Sequence, residues 1–320
     1  MGLDAQTAEL LRQLGLQPEP PQIGMMEVGV HAAREGARAI WHAYAGEPPV
    51  GCCSENLHIP GAGHVVPARL YRADESGQVP PLIVFFHGGG WAMGDLDCYD
   101  SFMRDLCVRT RADFLSVDYR LAPEHKYPAG LEDGLAAVRW AAQRQRTGAV
   151  SAVAVMGDSA GGNLATVIAR HLHAEGSIRL AAQILLYPML DVMSPHSRYP
   201  SRMRFGDGHY LLTRESIDTT TTWYLDGTGQ RGHPNVSPLL AEDLSGLPPT
   251  VIVIGGHDPL LDEGRSYARR LAAAGVPVEF KCFESTIHAF LSFGVLSVAQ
   301  EGRAYIARQI ERLMPPQRRA

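Results

Sequence analysis

A strand-to-helix turn near the middle of the chain constrains the fold more than any other sequence feature. An apolar run, Val153–Met156, leads into Gly157-Asp-Ser-Ala-Gly161, and an alanine-rich helical pattern continues to about His173. The apolar run is typical of a buried strand in a parallel sheet. Glycines two residues before and two after Ser159 remove Cβ atoms that would clash in such a tight turn. The turn therefore presents the serine hydroxyl to a base, although a turn with a merely capping serine is the alternative.

Strands and helices alternate along most of the sequence. Apolar and alternating patterns predict strands near Ser54–Ile59, Val65–Arg72, Leu82–Phe86, Phe114–Asp118, Ala181–Leu186, Thr250–Ile254 and Val278–Phe283. Helical patterns cover approximately Glu27–Tyr44, Tyr99–Arg109, Ala129–Arg144, Thr213–Leu225, Asp262–Ala274 and Gly294–Leu313. We expect the first two strands to pair antiparallel at a sheet edge. The alternation predicts an α/β fold, with a mostly parallel central sheet covered by helices on both faces.

Two segments interrupt this alternation. Residues 1–50 contain helical patterns before any strand, and residues 189–246 form a long insertion without a convincing strand. An insertion of this length between two strands is expected to be a cap or otherwise functional. We interpret both segments as parts of a helical cap on a catalytic domain formed by residues 51–188 and 247–320. An N-terminal brace and an ordinary small subdomain are the respective alternatives.

Composition restricts the class of protein. The 320 residues carry a net charge of −5, from 34 acidic and 29 basic residues without a long run of either sign, which argues against nucleic acid or an anionic membrane as partner. The five cysteines lack C-x-x-C spacing and resemble reduced thiols of a cytoplasmic protein. No signal-peptide pattern and no apolar run long enough to cross a bilayer are visible. The predicted location is therefore cytoplasmic. The sequence leaves the oligomeric state open, and a homodimer is one of the alternatives.

A glycine triplet follows the predicted strand Leu82–Phe86. The strand leads into His87-Gly-Gly-Gly-Trp91, and glycines there allow backbone N–H groups to face a substrate oxygen. With the N–H of Ala160, the triplet would hold the oxyanion of a tetrahedral intermediate. A phosphate-binding loop does not fit, because Met93 stands where G-x-G-x-x-G requires glycine and G-K-[ST] is missing. Since His87 precedes the serine on the oxyanion side, we expect it to anchor the loop, with acid–base chemistry as the alternative.

A serine nucleophile needs a base and a group that orients the base. Asp258 directly follows the apolar run of a predicted strand, which suits the orienting carboxylate. Asp262 and Glu263 compete for this role, but both fall in the first turn of the next predicted helix, where acids are favoured as N-terminal charge. Of thirteen histidines only His288 lies beyond the last predicted strand. The order Ser159, Asp258, His288 is that of the α/β-hydrolases.

Five motifs distributed over the chain form a specific set. They are His87-Gly-Gly-Gly90, Asp118-Tyr-Arg-Leu-Ala-Pro-Glu124, Gly157-Asp-Ser-Ala-Gly-Gly162, Asp258-Pro-Leu-Leu-Asp-Glu263 and Ile287-His-Ala-Phe290. With these motifs the chain resembles the bacterial hormone-sensitive-lipase family of carboxylesterases over almost its whole length.

This resemblance implies an α/β-hydrolase fold with a mainly helical cap, acting on small-molecule esters without a cofactor. The sequence shows no cluster of metal ligands, so no metal is expected either. The resemblance also implies that the N–H groups of Gly89, Gly90 and Ala160 are the oxyanion donors and that Gly88 shapes their loop. By the same match, Asp118–Glu124 forms a structural turn.

Two positions depart from the usual pattern of the family. Ala289 stands where glycine commonly follows the histidine, and His257 replaces a small or thiol residue before the aspartate. Neither change removes a catalytic group.

The motifs and the resemblance together predict a serine carboxylesterase that hydrolyses short- to medium-chain esters through an acyl-enzyme, with Ser159, Asp258 and His288 as its triad. An amidase or a hydrolase of specialised esters or lactones is the alternative, and a non-catalytic ligand receptor is disfavoured by the intact triad.

Overall fold

An eight-stranded, mostly parallel sheet forms the centre of the computed structural model, which describes residues 2–18, 24–73 and 78–318. The strands of the described residues are β1 Cys52–Pro60, β2 Val65–Ala73, β3 Gln78–Val79, β4 Leu82–Phe86, β5 Asp113–Val117, β6 Val153–Asp158, β7 Gln183–Leu186, β8 Thr250–His257, β9 Val278–Ile287 and β10 Gln317–Arg318. The large sheet has the order β1-β2-β5-β4-β6-β7-β8-β9, while β10 and β3 pair separately. β1 and β2 are antiparallel, β2 is antiparallel to β5, and the other pairs of the large sheet are parallel.

Helices cover this sheet and form the two segments outside the alternation. The described helices are α1 Ala5–Gln13, α2 Met25–Tyr44, α3 Asp100–Thr110, α4 Ala129–Arg146, α5 Ala160–Glu175, α6 Pro200–Phe205, α7 Arg214–Tyr224, α8 Leu261–Ala273 and α9 Ser297–Leu313. Every residue of β4, β5, β6 and β7 is buried, as expected for parallel strands covered on both faces. The predicted fold class and the antiparallel edge pair are therefore confirmed. Within the described residues, no helix is both long and apolar enough to cross a membrane.

Helix α2, the second helix of the chain, contacts both the insertion of residues 189–246 and the predicted catalytic domain. Its backbone has a kink at Gly29, where φ is 77°. The carboxylate of Glu215 on α7 accepts the N–H groups of Met25 and Met26 at the start of α2. Further along, Arg34 pairs with Glu124 and donates to a backbone carbonyl of the turn that contains Glu124. These contacts agree with a structural role for that turn, and the division of the chain into cap and catalytic domain stays a prediction.

The sequence patterns did not predict the short helix α6, which begins at Pro200. The carboxylate of Asp262 accepts the N–H of Ser201 at 2.7 Å, and the Ser201 hydroxyl donates to the carbonyl of Pro259 at 2.8 Å. The buried Arg202 pairs with the buried Glu263. Asp262 and Glu263 do lie in the first turn of α8, as expected, but they also hold α6 against the segment that follows β8.

The turn between β6 and α5 has no space for additional side-chain atoms. A Cβ atom on Gly161 would overlap the carbonyl oxygen of Phe86 on β4, so α5 approaches the sheet as closely as the backbone allows. A Cβ atom on Gly157 would in turn overlap the carbonyl of Gly161. Both glycines are therefore required by close approach of backbone segments, as the motif predicted.

We expect Gly161→Ala to destabilise the protein by about 1–3 kcal/mol or more, because the added methyl group meets a rigid backbone carbonyl. Gly36→Ala is the matched control, since Gly36 lies on α2 and its Cβ would meet nothing within 4 Å. Alanine is the better helix former, so this change is expected to stabilise the protein by about 1 kcal/mol. Denaturant unfolding measures both changes; equal stability of Gly161→Ala and the parent protein would contradict the packing described here.

Candidate active site

Ser159 lies at the sharp turn between β6 and α5, with an unusual backbone conformation. Its φ is 53° and its ψ is −116°, in a region that non-glycine residues rarely occupy. The backbone is fixed there because the Ser159 N–H donates to the carbonyl of Leu186 at the end of β7, at 2.9 Å. Strain of this kind persists only where the surrounding structure enforces it, and it is concentrated at functional sites.

The structure brings Ser159, His288 and Asp258 into one hydrogen-bonded chain. His288 Nε2 is 3.0 Å from Ser159 Oγ, and His288 Nδ1 is 2.8 Å from Asp258 Oδ2. Asp258 is fully buried, and its other oxygen accepts the N–H of Leu260 at 2.8 Å. The carboxylate therefore favours the tautomer with the proton on Nδ1, which leaves Nε2 able to take the proton of the serine hydroxyl.

Tyr187 contacts this chain, although the sequence offered no reason to select it. Its ring is T-shaped against the imidazole of His288, with centroids 4.9 Å apart, and its side chain is fully buried. The backbone of Tyr187 has a φ of 36° at the point where the chain leaves β7. A positive φ is uncommon for a bulky residue such as tyrosine, and it is visible only in the structure.

Three free N–H groups lie on the two loops that flank Ser159. The oxyanion loop, residues 87–91, leaves β4 beside the turn that holds the serine. Among the described residues, none accepts the N–H of Gly89, Gly90 or Ala160, whereas the Gly88 N–H donates to Asp158 Oδ1 at 2.7 Å. The arrangement leaves the three expected donors available to a substrate oxygen and uses Gly88 to hold the loop.

Asp158 joins the two loops, a role that the motif around Ser159 did not predict. Besides the N–H of Gly88, its carboxylate accepts the hydroxyl of Tyr99 at 3.0 Å. Burial raises the pKa of Asp158 to about 7. The two hydrogen bonds act in the opposite direction, because they favour the charged form of the carboxylate. Asp158 occupies a variable position of the G-x-S-x-G motif. The available signal was a carboxylate at the end of an otherwise apolar strand, where a buried charge requires partners.

His87 anchors the oxyanion loop, as expected from its position. Its ring stacks on Tyr119 with centroids 4.5 Å apart, and its Nδ1 bonds to the carbonyl of Gly88 at 2.8 Å. The Tyr119 hydroxyl donates to the carbonyl of His87 at 2.8 Å. Complete burial lowers the pKa of His87 to about 4, so its imidazole is neutral at pH 7. These contacts support an anchoring role over acid–base chemistry.

The two departures from the family pattern have different structural consequences. Ala289 adopts a left-handed conformation with a φ of 60°, which glycine would adopt without strain. The ring of His257 packs against Phe205 and Tyr210 of the insertion, with centroids 5.2 and 5.5 Å apart. Burial lowers the pKa of His257, which favours its neutral form in this aromatic environment. Its clearest role is therefore contact with the insertion.

No group of three or more potential metal ligands occurs in the part of the chain that the structure describes. The hydrogen-bonded chain and the three N–H groups are the kinds of group that nucleophilic attack by a serine requires. Hydrolysis without a metal or cofactor stays a prediction.

Comparisons with known proteins identify the family and agree with the fold. Residues 83–292 match the family described as "alpha/beta hydrolase fold". The chain is 44% identical to the carboxylic ester hydrolase LipN of Mycobacterium tuberculosis over 82% of its own length and 70% of that protein. It is 40% identical to the carboxylesterase NlhH of the same species, over 72% of this chain and 73% of the relative. The solved structure of an esterase from Pyrobaculum calidifontis superposes with a TM-score of 0.87 at 34% identity, covering 98% of this chain and 99% of that one.

The buried His87 predicts a specific dependence of stability on pH. Its pKa is lowered from 6.5 to about 4, so between these values the unfolded chain binds a proton at His87 and the native protein does not. The free energy of unfolding therefore falls as pH falls from 6.5 to 4, by about 3 kcal/mol for this one group.

Denaturant unfolding of the parent protein and His87→Gln between pH 7 and 4.5 isolates the contribution of His87, because the other titrating groups are common to both. We expect a shallower loss of stability in His87→Gln than in the parent protein. Parallel pH profiles would contradict a neutral, buried His87.

Proposed function

Because this chain belongs to the hormone-sensitive-lipase family of α/β-hydrolase carboxylesterases, we propose that Ser159, His288 and Asp258 perform its ester hydrolysis. The protein is a carboxylic ester hydrolase of the serine type, and its substrates are small-molecule esters. The hydrogen-bonded chain from Asp258 through His288 to Ser159 is the observation that supports the assignment of residues most strongly.

In the first half-reaction, Ser159 Oγ attacks the ester carbonyl carbon while His288 Nε2 takes the serine proton. The carbonyl oxygen becomes an oxyanion, and the N–H groups of Gly89, Gly90 and Ala160 stabilise its charge. Protonated His288 then donates to the leaving alcohol as the bond to that alcohol breaks. Asp258 stabilises the imidazolium and keeps the ring in the productive tautomer.

In the second half-reaction, His288 takes a proton from water, and the resulting hydroxide attacks the acyl-enzyme carbonyl. The same N–H groups hold the second oxyanion, and His288 returns its proton to Ser159 Oγ as the carboxylic acid leaves. Preorganised donors in a site of low dielectric constant cost little reorganisation during either step. The contact between Asp158 and the Gly88 N–H supports this preorganisation.

We further propose that the insertion and the N-terminal helices form a cap that restricts substrate length. Aromatic side chains of these segments approach the catalytic loops: Tyr224 stacks on Trp91 of the oxyanion loop at 4.4 Å, and Trp41 packs against Tyr99 at 5.5 Å. Phe205 lies beside His257, the residue before Asp258. By contrast, Met203 is exposed, so it does not contribute to a closed roof. Each buried CH₂ of an acyl chain contributes about 0.8 kcal/mol only while the chain fits under such side chains.

We also propose a cytoplasmic location, and the oligomeric state stays open, a homodimer included. The five cysteines carry free thiols in the structure, which fits a reducing compartment. Light scattering of the purified protein measures the oligomeric state directly.

Two substitutions separate the acidic candidates for the triad. We expect Asp258→Asn to lower kcat by about 10⁴-fold, because an amide leaves the imidazole in the wrong tautomer. Asp262→Asn keeps an oxygen that accepts the N–H of Ser201, so we expect kcat to change little.

A third substitution tests the proposed nucleophile. Ser159→Ala is expected to lower kcat by about 10³-fold or more, because the members of a triad act as a unit.

Steady-state hydrolysis of p-nitrophenyl butyrate, with thermal unfolding to establish that each variant folds, measures all three effects. A larger loss in Asp262→Asn than in Asp258→Asn would refute the assignment of the acid.

Substrate length tests the role of the cap. We expect kcat/KM for p-nitrophenyl esters to rise through the shortest acyl chains, to peak at butyrate or hexanoate, and then to fall, since longer chains no longer fit under the cap. A series from acetate to palmitate, measured below the solubility limit of each ester, gives the profile. A preference for palmitate, or for emulsified triglyceride, is the result that would show the proposal of a closed pocket to be wrong.

A further inference from the structure

Helix α7 of the insertion packs directly on the oxyanion loop. A Cβ atom on Gly90 would lie 2.5 Å from Thr220 Cγ2 and 2.6 Å from Thr220 Cβ, so these two residues are in van der Waals contact without free space. One turn further along α7, Tyr224 stacks face to face on Trp91, with centroids 4.4 Å apart and an interplanar angle of 4°. Two consecutive residues of the oxyanion loop therefore contact one helix.

The side chain of Thr220 is itself fixed. Thr220 is 6% exposed, and its hydroxyl donates to the carbonyl of Ser216 at 2.8 Å. Its neighbours Thr221 and Thr222 donate in the same way, to the carbonyls of Ile217 and Asp218. Such a bond to the preceding turn satisfies the hydroxyl within the helix. The methyl group of Thr220 is then held in one orientation for its contact with Gly90.

Both ends of α7 are also attached to other parts of the molecule. At its start, Glu215 accepts backbone N–H groups of α2. At its end, the carbonyl of Tyr224 accepts the N–H of Tyr127 at 2.8 Å, and the carbonyl of Leu225 accepts from Lys126 at 3.2 Å. The helix therefore provides a fixed surface against which the oxyanion loop packs.

Gly90 requires such a surface. Its φ is 61°, and a glycine reaches many other backbone conformations at little cost. The peptide plane that carries the Gly90 N–H is oriented by φ of Gly90 together with ψ of Gly89. A change in φ at Gly90 would therefore redirect the N–H group that is proposed to stabilise the oxyanion. Displacement of a donor by about 1 Å is enough to lower a reaction rate substantially.

We propose that Thr220 is a positioning residue for ester hydrolysis, whose methyl group holds Gly90 in the left-handed conformation that directs its N–H to the oxyanion. The inference rests on the proposed function of the oxyanion loop. It gives helix α7 a role in the chemical step itself, in addition to any role in admitting the substrate.

The test compares Thr220→Ala, which removes the Cγ2 methyl group and the hydroxyl but keeps Cβ, with Thr220→Val, which keeps a branched side chain against Gly90. We expect Thr220→Ala to lower kcat about 10-fold with little change in KM, because the donor stabilises the transition state more than the bound ester. Thr220→Val is expected to restore most of that loss. Thr222→Ala and Thr222→Val are matched controls, since Thr222 makes the same hydroxyl bond but is exposed.

Inhibition by an aryl trifluoromethyl ketone provides a readout that packing of the insertion alone would not change. Ser159 Oγ adds to the ketone carbon, its proton passes to His288, and the ketone oxygen becomes an oxyanion. The inhibition constant should therefore increase in Thr220→Ala by about the same factor as kcat falls. If Thr220→Ala does not fold, Thr220→Ser replaces it, because serine keeps the hydroxyl bond and removes only the methyl group.

Three results would overturn the role of Thr220: an unchanged kcat in Thr220→Ala, a loss in Thr220→Val as large as that in Thr220→Ala, or an unchanged inhibition constant. A parent protein that does not hydrolyse p-nitrophenyl butyrate would instead overturn the proposed function. An active parent protein with unaffected Thr220 variants would overturn the role of Thr220 alone.

Discussion

The buried carboxylate of Asp158 joins the two loops on which the proposed chemistry depends. It lies beside Ser159 in the chain and accepts the N–H of Gly88 in the oxyanion loop, as well as the hydroxyl of Tyr99. Because β6 and β4 are neighbours in the sheet, this contact fixes the proposed nucleophile, which follows β6, relative to the proposed N–H donors Gly89 and Gly90, which follow β4. A charged group is costly to bury without such partners, so its hydrogen bonds define one arrangement of the loops.

The insertion contacts the catalytic loops at two separate places. Helix α6 is held against the segment after Asp258 by Asp262, by Glu263 and by the carbonyl of Pro259. Helix α7 packs on the other side of the site, against Gly90 and the residue that follows it. The proposed cap is thus attached to the loop of the proposed acid and to that of the proposed oxyanion donors. Under the proposed function, substrate selection and catalytic geometry therefore depend on the same contacts.

Local sequence predicted the fold well because its signals are local: apolar runs specified the buried strands, and the glycines around Ser159 specified the turn. The positions of Asp258 and His288 after predicted strands, together with the order of the three residues and the family motifs, selected this pair, which the structure brings together. Local patterns did not reveal the helix α6, the contacts of Glu263, or those of Thr220, because each depends on a partner far away in the chain. The role of Asp158 was missed because its partner Gly88 lies in the loop that follows another strand, although a carboxylate at the end of an apolar strand was a local signal of a buried charge.

Covalent labelling of the nucleophile tests the central assignment most directly. An alkyl p-nitrophenyl phosphonate should release one equivalent of p-nitrophenol per chain as activity is lost, and peptide mass spectrometry should find the phosphonyl group on Ser159. The Ser159→Ala variant should release no such equivalent and carry no adduct. Complete inactivation with the adduct on a different residue, or stoichiometric labelling of Ser159→Ala, would contradict the assignment of Ser159 as the nucleophile.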